Sequence, residues 1–325
     1  MTRPIASLSL DLDNQWSYLK THGNPAWEEW PSYLPIVVPR MLEVLDQVGL
    51  QLTLFVVGRD AAQPEHHRLL RDVVDAGHEV GNHSFSHEPW FHLYDDERVA
   101  AEVVDAEEAI EAATGQRPVG FRGPGYSLSQ PLLEVLADRG YRYDASILPT
   151  WIGPLARAFY FRSAKLDAEQ RKERGKLFGN FRDALQPLQP YRWDLGERRL
   201  LELPVTVLPL VRVPMHISYV LYLEGASPHL ARAYFRSALR LCRIAGVAPS
   251  LLLHPLDLLG PEDLPAGSGL EFFPGMALGG DRKRRLLVDC LRRFDAVFDV
   301  GPMSRHVDAI VADADDLRSR RFSPV

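Results

Sequence analysis

Short runs of apolar and β-branched residues alternate with longer segments of helical periodicity along most of the chain. This alternation is typical of βα units arranged around a parallel sheet or barrel. The strands that it predicts are Ile5–Leu12, Leu52–Val57, Glu79–His83, Val119–Arg122, Tyr141–Ser146, Leu200–Thr206, Ser250–His254 and Ala296–Val300. Because eight strands are enough to close a barrel, we expect one α/β domain over residues 1–325.

One segment of about fifty residues, from Thr150 to Leu200, interrupts the alternation. It is rich in Arg, Lys and aromatic residues and shows no clear strand, so it is predicted to be an insertion. Helices packed on the flank of the barrel would explain it, as would a lid, a contact in a homo-oligomer, or an interfacial helix on anionic lipid. The last residues, Arg318–Val325, are expected to form a frayed basic tail.

The overall composition is that of an ordinary globular protein, with 46% hydrophobic and 25% charged residues. A formal net charge of −6 argues against a nucleic-acid partner, because phosphate binding favours a basic surface. Cys242 and Cys290 lie in apolar stretches and are expected to be core thiols rather than a disulfide. The N-terminus runs directly into a strand pattern, so we expect a cytoplasmic protein whose membrane contact, if it has one, lies at the inner face through the insertion.

Polar residues stand at or just beyond the ends of five predicted strands, where an apolar core would not require them. In a barrel of βα units the active site gathers at the carboxyl ends of the strands, so these residues are expected to meet at one mouth. They are Asp11 and Asp13 at the first strand, His83 and His87 at the third, Arg122 at the fourth, Asp144 at the fifth, and His254 at the seventh.

His83 and His87 carry the best-defined chemical signal among these residues. Their i,i+4 spacing would place two imidazoles on one face of a helical turn, close enough to share a cation, although such pairs also occur by chance. Asp13 from a neighbouring loop would add an anionic ligand. Two histidines and one carboxylate leave coordination positions open for water and substrate. We therefore expect one divalent cation, with Zn²⁺ favoured and Co²⁺, Ni²⁺ or Mn²⁺ able to replace it.

The remaining polar residues suit the hydrolysis of an amide. Asp11 and Asp13 could simply form a turn, but a bend after the strand would let one carboxylate bind the metal while the other acts as general base. Arg122 would steady such a base by a charge-assisted pair, or could be a surface residue. The Gly123–Gly125 turn could aim a backbone amide at a developing oxyanion. A protonated His254 could donate to the leaving amine, although a core histidine is the alternative.

These segments resemble the motifs of the polysaccharide deacetylases, the carbohydrate esterase family four that shares the NodB homology domain. The resemblance runs from Ser9 to about Leu259, through SLDLDN in the Asp-x-Asp spelling, NHSFSH, FRGPGY, YDAS and LLLHP. It implies a distorted (β/α) barrel of seven or eight strands. It also implies the following roles: Asp11 as catalytic base, Asp13, His83 and His87 as metal ligands, Arg122 orienting the base, Gly125 as oxyanion donor, Asp144 tuning the acid, and His254 as that acid.

Pro124 and Tyr126 flank the oxyanion donor and are candidates for substrate contact, as is Trp16 after the first motif. An aromatic residue in a loop also commonly anchors the loop itself. The expected activity is removal of an N-acyl group, in the first instance N-acetyl, from a sugar that is free, nucleotide-linked or lipid-linked. Three alternatives stay open: hydrolysis of a small amide, cyclic imide or formamide; a catalytically silent glycan-binding protein; and a scaffold at the membrane.

Overall fold

A computed structural model of the protein describes residues 3–164, 166, 168, 171, 181–312 and 317–322. The strands within these residues are β1 Ile5–Leu12, β2 Thr53–Val56, β3 Glu79–Asn82, β4 Gly120–Phe121, β5 Tyr143–Asp144, β6 Tyr191–Trp193, β7 Leu201–Glu202, β8 Ser250–Leu253, β9 Asp299–Gly301 and β10 Ser319–Arg320. The α-helices are α1 Gln15–Thr21, α2 Leu34–Val48, α3 Gly58–Ala61, α4 His67–Asp75, α5 Asp96–Thr114, α6 Gln130–Asp138, α7 Gly153–Ser163, α8 Ile217–Ala226, α9 Pro228–Ile244, α10 Gly280–Val297 and α11 Met303–Ala312.

Seven parallel strands form the wall of the barrel in the order β7-β5-β4-β3-β2-β1-β8. Two hydrogen bonds join the ends of this path. The Thr206 amide donates to the Ser250 carbonyl over 3.2 Å, and the Ser250 amide donates to Thr206 Oγ1 over 2.6 Å. The fold is therefore the distorted (β/α) barrel that the sequence predicts.

The first strand shows how the sequence pattern places polar groups inside the barrel. Side chains alternate between the two faces of a strand, and every residue from Ala6 to Leu12 is buried. The apolar residues of β1 pack in the same core cluster as α2 and α10. The alternate residues face inward, where Ser9 and Asp11 both accept hydrogen bonds from Arg122. The interior of the barrel therefore carries a polar column that ends at the mouth.

Helix α11 fills the barrel beneath this column. Its first amides, at Met303 and Ser304, donate to Thr53 Oγ1 over 2.7 Å and to Glu79 Oε2 over 3.0 Å. The sulfur of Met303 lies 3.6 Å from Arg122 Nη2. Met303 also belongs to a buried apolar cluster with residues of β2, β5 and β7. The floor of the site is thus fixed by a helix that begins about 290 residues after β1.

The structure corrects the sequence prediction at three places. The Thr150–Leu200 segment does contain a strand, β6, which pairs antiparallel with β7 and was missed because it is three residues long. Part of the predicted tail forms β10, which pairs with β6. The predicted strand Ala296–Val300 begins only at Asp299, because α10 continues to Val297. Residues 165, 167, 169–170 and 172–180 of the predicted insertion lie outside the described residues.

Two further sequence expectations concern the cysteines and the membrane. Cys242 and Cys290 are both free and buried, as predicted for core thiols. Among the described residues, no helix combines the length and the apolar character that a membrane span requires.

Candidate metal centre and catalytic residues

The chain bends sharply after β1, and a network of side chains holds this bend. Asn14 caps α1 by accepting from the Gln15 amide over 2.8 Å, and its Nδ2 donates to Asp60 Oδ1 over 2.7 Å. The Tyr33 hydroxyl donates to the backbone carbonyl of Asp13. Asp13 is therefore turned away from the strand and buried at the mouth, with its backbone carbonyl already satisfied.

His83 and His87 lie on an irregular turn, so the predicted helical turn is wrong. Two residues in this turn have positive φ, Ser84 at 60° and His87 at 48°. Glu102, a residue of α5, holds this turn. Its Oε2 accepts hydrogen bonds from the amides of Phe85 over 3.0 Å and Ser86 over 2.8 Å. No sequence motif singled out Glu102, whose only signal is an acidic residue at a buried helix position.

Asp13, His83 and His87 form the only group of this kind found among the described residues, with their ligand atoms all within 4.8 Å of one another. Asp13 Oδ1 lies 3.2 Å from His83 Nε2 and 2.9 Å from His87 Nε2. This buried oxygen has no hydrogen bond of proper geometry. Three donor atoms that converge without hydrogen-bonding to one another are the arrangement expected of ligands that share one ion. Each ligand atom would then lie about 2.0–2.2 Å from the ion.

The surroundings of the triad favour metal binding. His83 Nδ1 lies 2.6 Å from the Arg122 carbonyl, so a proton on Nδ1 would be donated there and would leave the Nε2 lone pair for the ion. Burial raises the pKa of Asp13, but the contributions of His87 and His83 together outweigh burial and hold that pKa well below its usual range. The carboxylate is therefore ionised at neutral pH, as a ligand must be.

Trp16 packs its ring edge against His87, with ring centroids 6.5 Å apart. Its Nε1 donates to Asp60 Oδ1 over 3.0 Å, and the side chain is buried. Trp16 is thus held by Asp60 and packs beside His87, a candidate metal ligand.

Asp11 and Arg122 form the pair that the sequence predicts. Arg122 Nη1 donates to Asp11 Oδ1 over 2.7 Å, and its Nε donates to the Ala145 carbonyl over 3.1 Å. The guanidinium is fully buried and lies 4.3 Å from the ring centroid of Phe55. Several acceptors surround this buried cation, and the Asp11 carboxylate is consequently held in one orientation beside the triad.

The turn after β4 requires its two glycines. A Cβ at Gly123 would lie 2.1 Å from the Ser127 carbonyl oxygen, and a Cβ at Gly125 would lie 2.8 Å from Pro89 Cβ. Gly125 also has φ +58°, and Tyr126 follows with φ +64°. Pro124, Gly125 and Tyr126 form a single 3₁₀ turn that brings the Tyr126 hydroxyl within 3.5 Å of His216 Nε2. The predicted oxyanion and substrate residues are therefore held in a tight turn at the mouth.

His254 follows β8 and is oriented by neighbours on two elements. Its Nδ1 lies 3.2 Å from Ser218 Oγ and 4.0 Å from Asp257 Oδ2, and its amide donates to Asp257 over 2.8 Å. Its side chain keeps 16% exposure, whereas that of Asp257 has none. With Nδ1 facing these groups, Nε2 is the ring nitrogen that remains for a substrate.

Asp144 does not occupy the position beside His254 that the resemblance implied. It is fully buried and accepts from Ser146 Oγ over 2.6 Å, and it is the register partner of the equally buried Glu202. Burial raises the pKa of Asp144, and burial together with the adjacent carboxylate raises the pKa of Glu202 well above its usual range, so the pair shares a proton. Ser146 also accepts from the Gly123 amide, and Asp144 consequently supports the Gly123–Gly125 turn.

His216 is a residue at the mouth that no motif identified. Its ring centroid lies 5.9 Å from that of His254 and 6.2 Å from that of Tyr126. Burial lowers the pKa of His216 well below its usual value, with smaller contributions from His254 and Arg122, so this imidazole is neutral. In the sequence, the only signal was a histidine and a serine, Ser218, on either side of an apolar residue at the start of a helix.

Comparisons with known proteins agree with this geometry. Residues 27–143 match the family model of the polysaccharide deacetylases. The chain is 32% identical over 153 residues to a peptidoglycan deacetylase of Helicobacter pylori, which covers 44% of this chain and 50% of that protein. It is 37% identical over 108 residues to a chitooligosaccharide deacetylase of Bradyrhizobium sp., covering 33% and 48%. The chain thus spans about half the length of the curated relatives it matches.

A solved structure from Mycobacterium smegmatis, named as a polysaccharide deacetylase, superposes on 100% of this chain and 96% of its own, with a TM-score of 0.66 and 22% identity, and so has the same fold. The family model over residues 27–143 and these relatives support the resemblance to the polysaccharide deacetylases that the sequence motifs predict. The matched window contains His83, His87 and Arg122. The assignments of Asp11, Asp13 and His254 outside it rest on the geometry described above.

Proposed function

We propose that this protein is a metal-dependent hydrolase that removes an N-acyl group, in the first instance N-acetyl, from an acylated sugar. The observation that carries the proposal is the convergence of a buried Asp-His-His group with the Asp11–Arg122 pair at the mouth of one barrel. The names of the Helicobacter pylori and Bradyrhizobium relatives support an acylated amino sugar as the substrate class. Two imidazoles with one carboxylate favour Zn²⁺ among divalent cations.

Asp13, His83 and His87 would hold the cation, which when bound supplies polarisation of the acyl carbonyl and acidification of a water molecule. Asp11, held by Arg122, takes a proton from the attacking water. The Gly125 amide donates to the carbonyl oxygen as negative charge develops on it. His254 gives a proton to the departing nitrogen as the C–N bond breaks. Water and amide are thereby converted into a carboxylate and a free amine.

The protein loaded with Zn²⁺ should release acetate from N-acetylglucosamine oligomers. The test is a product assay over three substrate groups: acetylated sugars, a formamide, and a cyclic imide. Release from the sugars alone supports the proposal. Turnover of only the formamide or the imide would reassign the substrate, and glycan binding without any turnover would identify a silent binding protein.

A further inference from the structure

Between β7 and α8 the chain forms a narrow hairpin, Val207–Pro214, whose ends form an antiparallel bridge. Inside it, the Leu208 amide donates to the Val213 carbonyl over 2.8 Å. Its tip exposes two apolar side chains, Leu210 at 87% and Val211 at 52%. We call Val207–Pro214 the apolar hairpin. Water contact with such side chains is unfavourable, so this exposure needs a reason.

The backbone of the apolar hairpin is strained at its tip. Leu210 has φ +76° and Arg212 has φ +53°, a region where glycine or asparagine is ordinary and where a residue such as leucine is strained. Strain of this kind persists where the surrounding structure imposes it, commonly at functional surfaces. A leucine stands where a glycine would be less strained.

Neighbouring residues hold the strained tip in place. Trp151 Nε1 donates to the Val211 carbonyl over 2.7 Å, and Thr150 Oγ1 donates to the Arg212 carbonyl over 2.7 Å. Trp151 is itself 40% exposed, and Leu155, one helical turn further along, is 56% exposed. We call the four exposed side chains of Trp151, Leu155, Leu210 and Val211 the apolar tip.

The apolar hairpin leads directly into the candidate active site. Two residues after Pro214 the chain reaches His216, which contacts both Tyr126 and His254. Leu210 and His216 are six positions apart in the chain, so Leu210 lies within about 20 Å of His216 even for a fully extended chain. Anything that binds the apolar tip is therefore held beside the mouth.

The charge of the sequence segment that contains Trp151 and Leu155 indicates what binds the apolar tip. Residues 150–190 contain eight Lys and Arg but four Asp and Glu, in a chain whose net charge is −6. Arg162 and Arg171 are exposed among the described residues. Apolar side chains flanked by basic residues match an anionic bilayer, where the former enter the acyl boundary and the latter meet the headgroups. A second copy would instead bring like charges together.

We propose that the apolar tip docks this protein on an anionic lipid membrane. The consequence of docking rests on the proposed function: the mouth is then held within about 20 Å of the bilayer surface, and the substrate is an N-acyl sugar carried on a lipid. Docking itself depends only on the exposed tip and its charge.

The experiment is co-sedimentation of the full chain with phosphatidylcholine vesicles, with and without phosphatidylglycerol. We expect binding to the anionic vesicles that weakens as salt is raised. Leu210→Asp should lower the partition by roughly 10- to 100-fold, the ratio expected when one leucine side chain is withdrawn from an apolar phase. The matched control is Ile244→Asp, because Ile244 is 83% exposed at the end of α9, and this variant should bind like the native protein.

Failure of the native protein to bind anionic vesicles would overturn the docking proposal, as would equal losses in Leu210→Asp and Ile244→Asp. A dimer that Leu210→Asp converts to a monomer, without vesicle binding, would reassign the tip to self-association and also overturn it. Acetate release from a soluble acetylated oligomer should be unchanged in Leu210→Asp. Vesicle binding without hydrolysis of any amide would contradict the proposed function alone.

Discussion

Replacing Asp11 by Asn tests the proposed chemistry most directly, because it removes a charge while keeping the shape and one acceptor oxygen. Asp11 Oδ1 lies 2.7 Å from Arg122 Nη1, and the metal-binding group contains no atom of Asp11. Loss of a general base should lower turnover by roughly 10²- to 10⁴-fold. Exchanging a charge-assisted hydrogen bond for a neutral one should cost about 1–2 kcal/mol of unfolding free energy.

Asp11→Ala is the matched variant, because it removes the acceptor as well. Loss of one partner from a buried ion pair costs about 3–5 kcal/mol, so Asp11→Ala should be the less stable of the two while losing turnover to the same extent. The assays are acetate release, denaturant unfolding and elemental analysis. Near-native turnover in Asp11→Asn would refute the base assignment, and loss of metal from that variant would show that Asp11 is a ligand instead.

Three further predictions concern the metal ligands, their support and the barrel floor. His83→Ala should lower bound metal measured by elemental analysis, and unchanged stoichiometry would reject the ligand set. Glu102→Gln, which weakens the hold on the Phe85 and Ser86 amides, should reduce metal affinity roughly 10- to 100-fold in competition with a chelator; unchanged affinity would show that the turn holds without it. Burial lowers the pKa of His306 to about 4. Between pH values of about 6.5 and 4, His306 is therefore protonated in the unfolded chain but neutral in the folded one. The unfolding free energy of the native protein should therefore fall as pH is lowered through this window. The fall should exceed that of His306→Gln by up to about 3 kcal/mol. Parallel pH profiles of the two proteins would contradict this.

The residues at the strand ends were predictable because strand periodicity is local. Apolar and polar positions alternate in β1, so the sequence alone places Asp11 on the face opposite Leu10 and Leu12. The carboxyl ends of parallel strands meet at one edge, and this rule is enough to group Asp13 with His83 from their positions in the chain. The distances of about 3 Å in the Asp-His-His group agree with that grouping.

The partners of Asp144 and His254 were not predictable in the same way. The register between neighbouring strands decides which side chains lie opposite one another in the barrel. No local sequence pattern encodes that register. The register sets Asp144 opposite Glu202 on β7. Asp257, three residues after His254, instead reaches it because a 3₁₀ turn folds the chain back.

The sequence by itself determined the class of fold, the strand ends and the chemical types gathered at the mouth, because those follow from side-chain periodicity and the direction of parallel strands. Tertiary structure decided the rest: the irregular His83–His87 turn, the neutral His216, and the strained apolar hairpin. Each of these depends on packing between segments far apart in the chain. Their energies come from burial and from hydrogen bonds across the barrel, which no short stretch of residues contains.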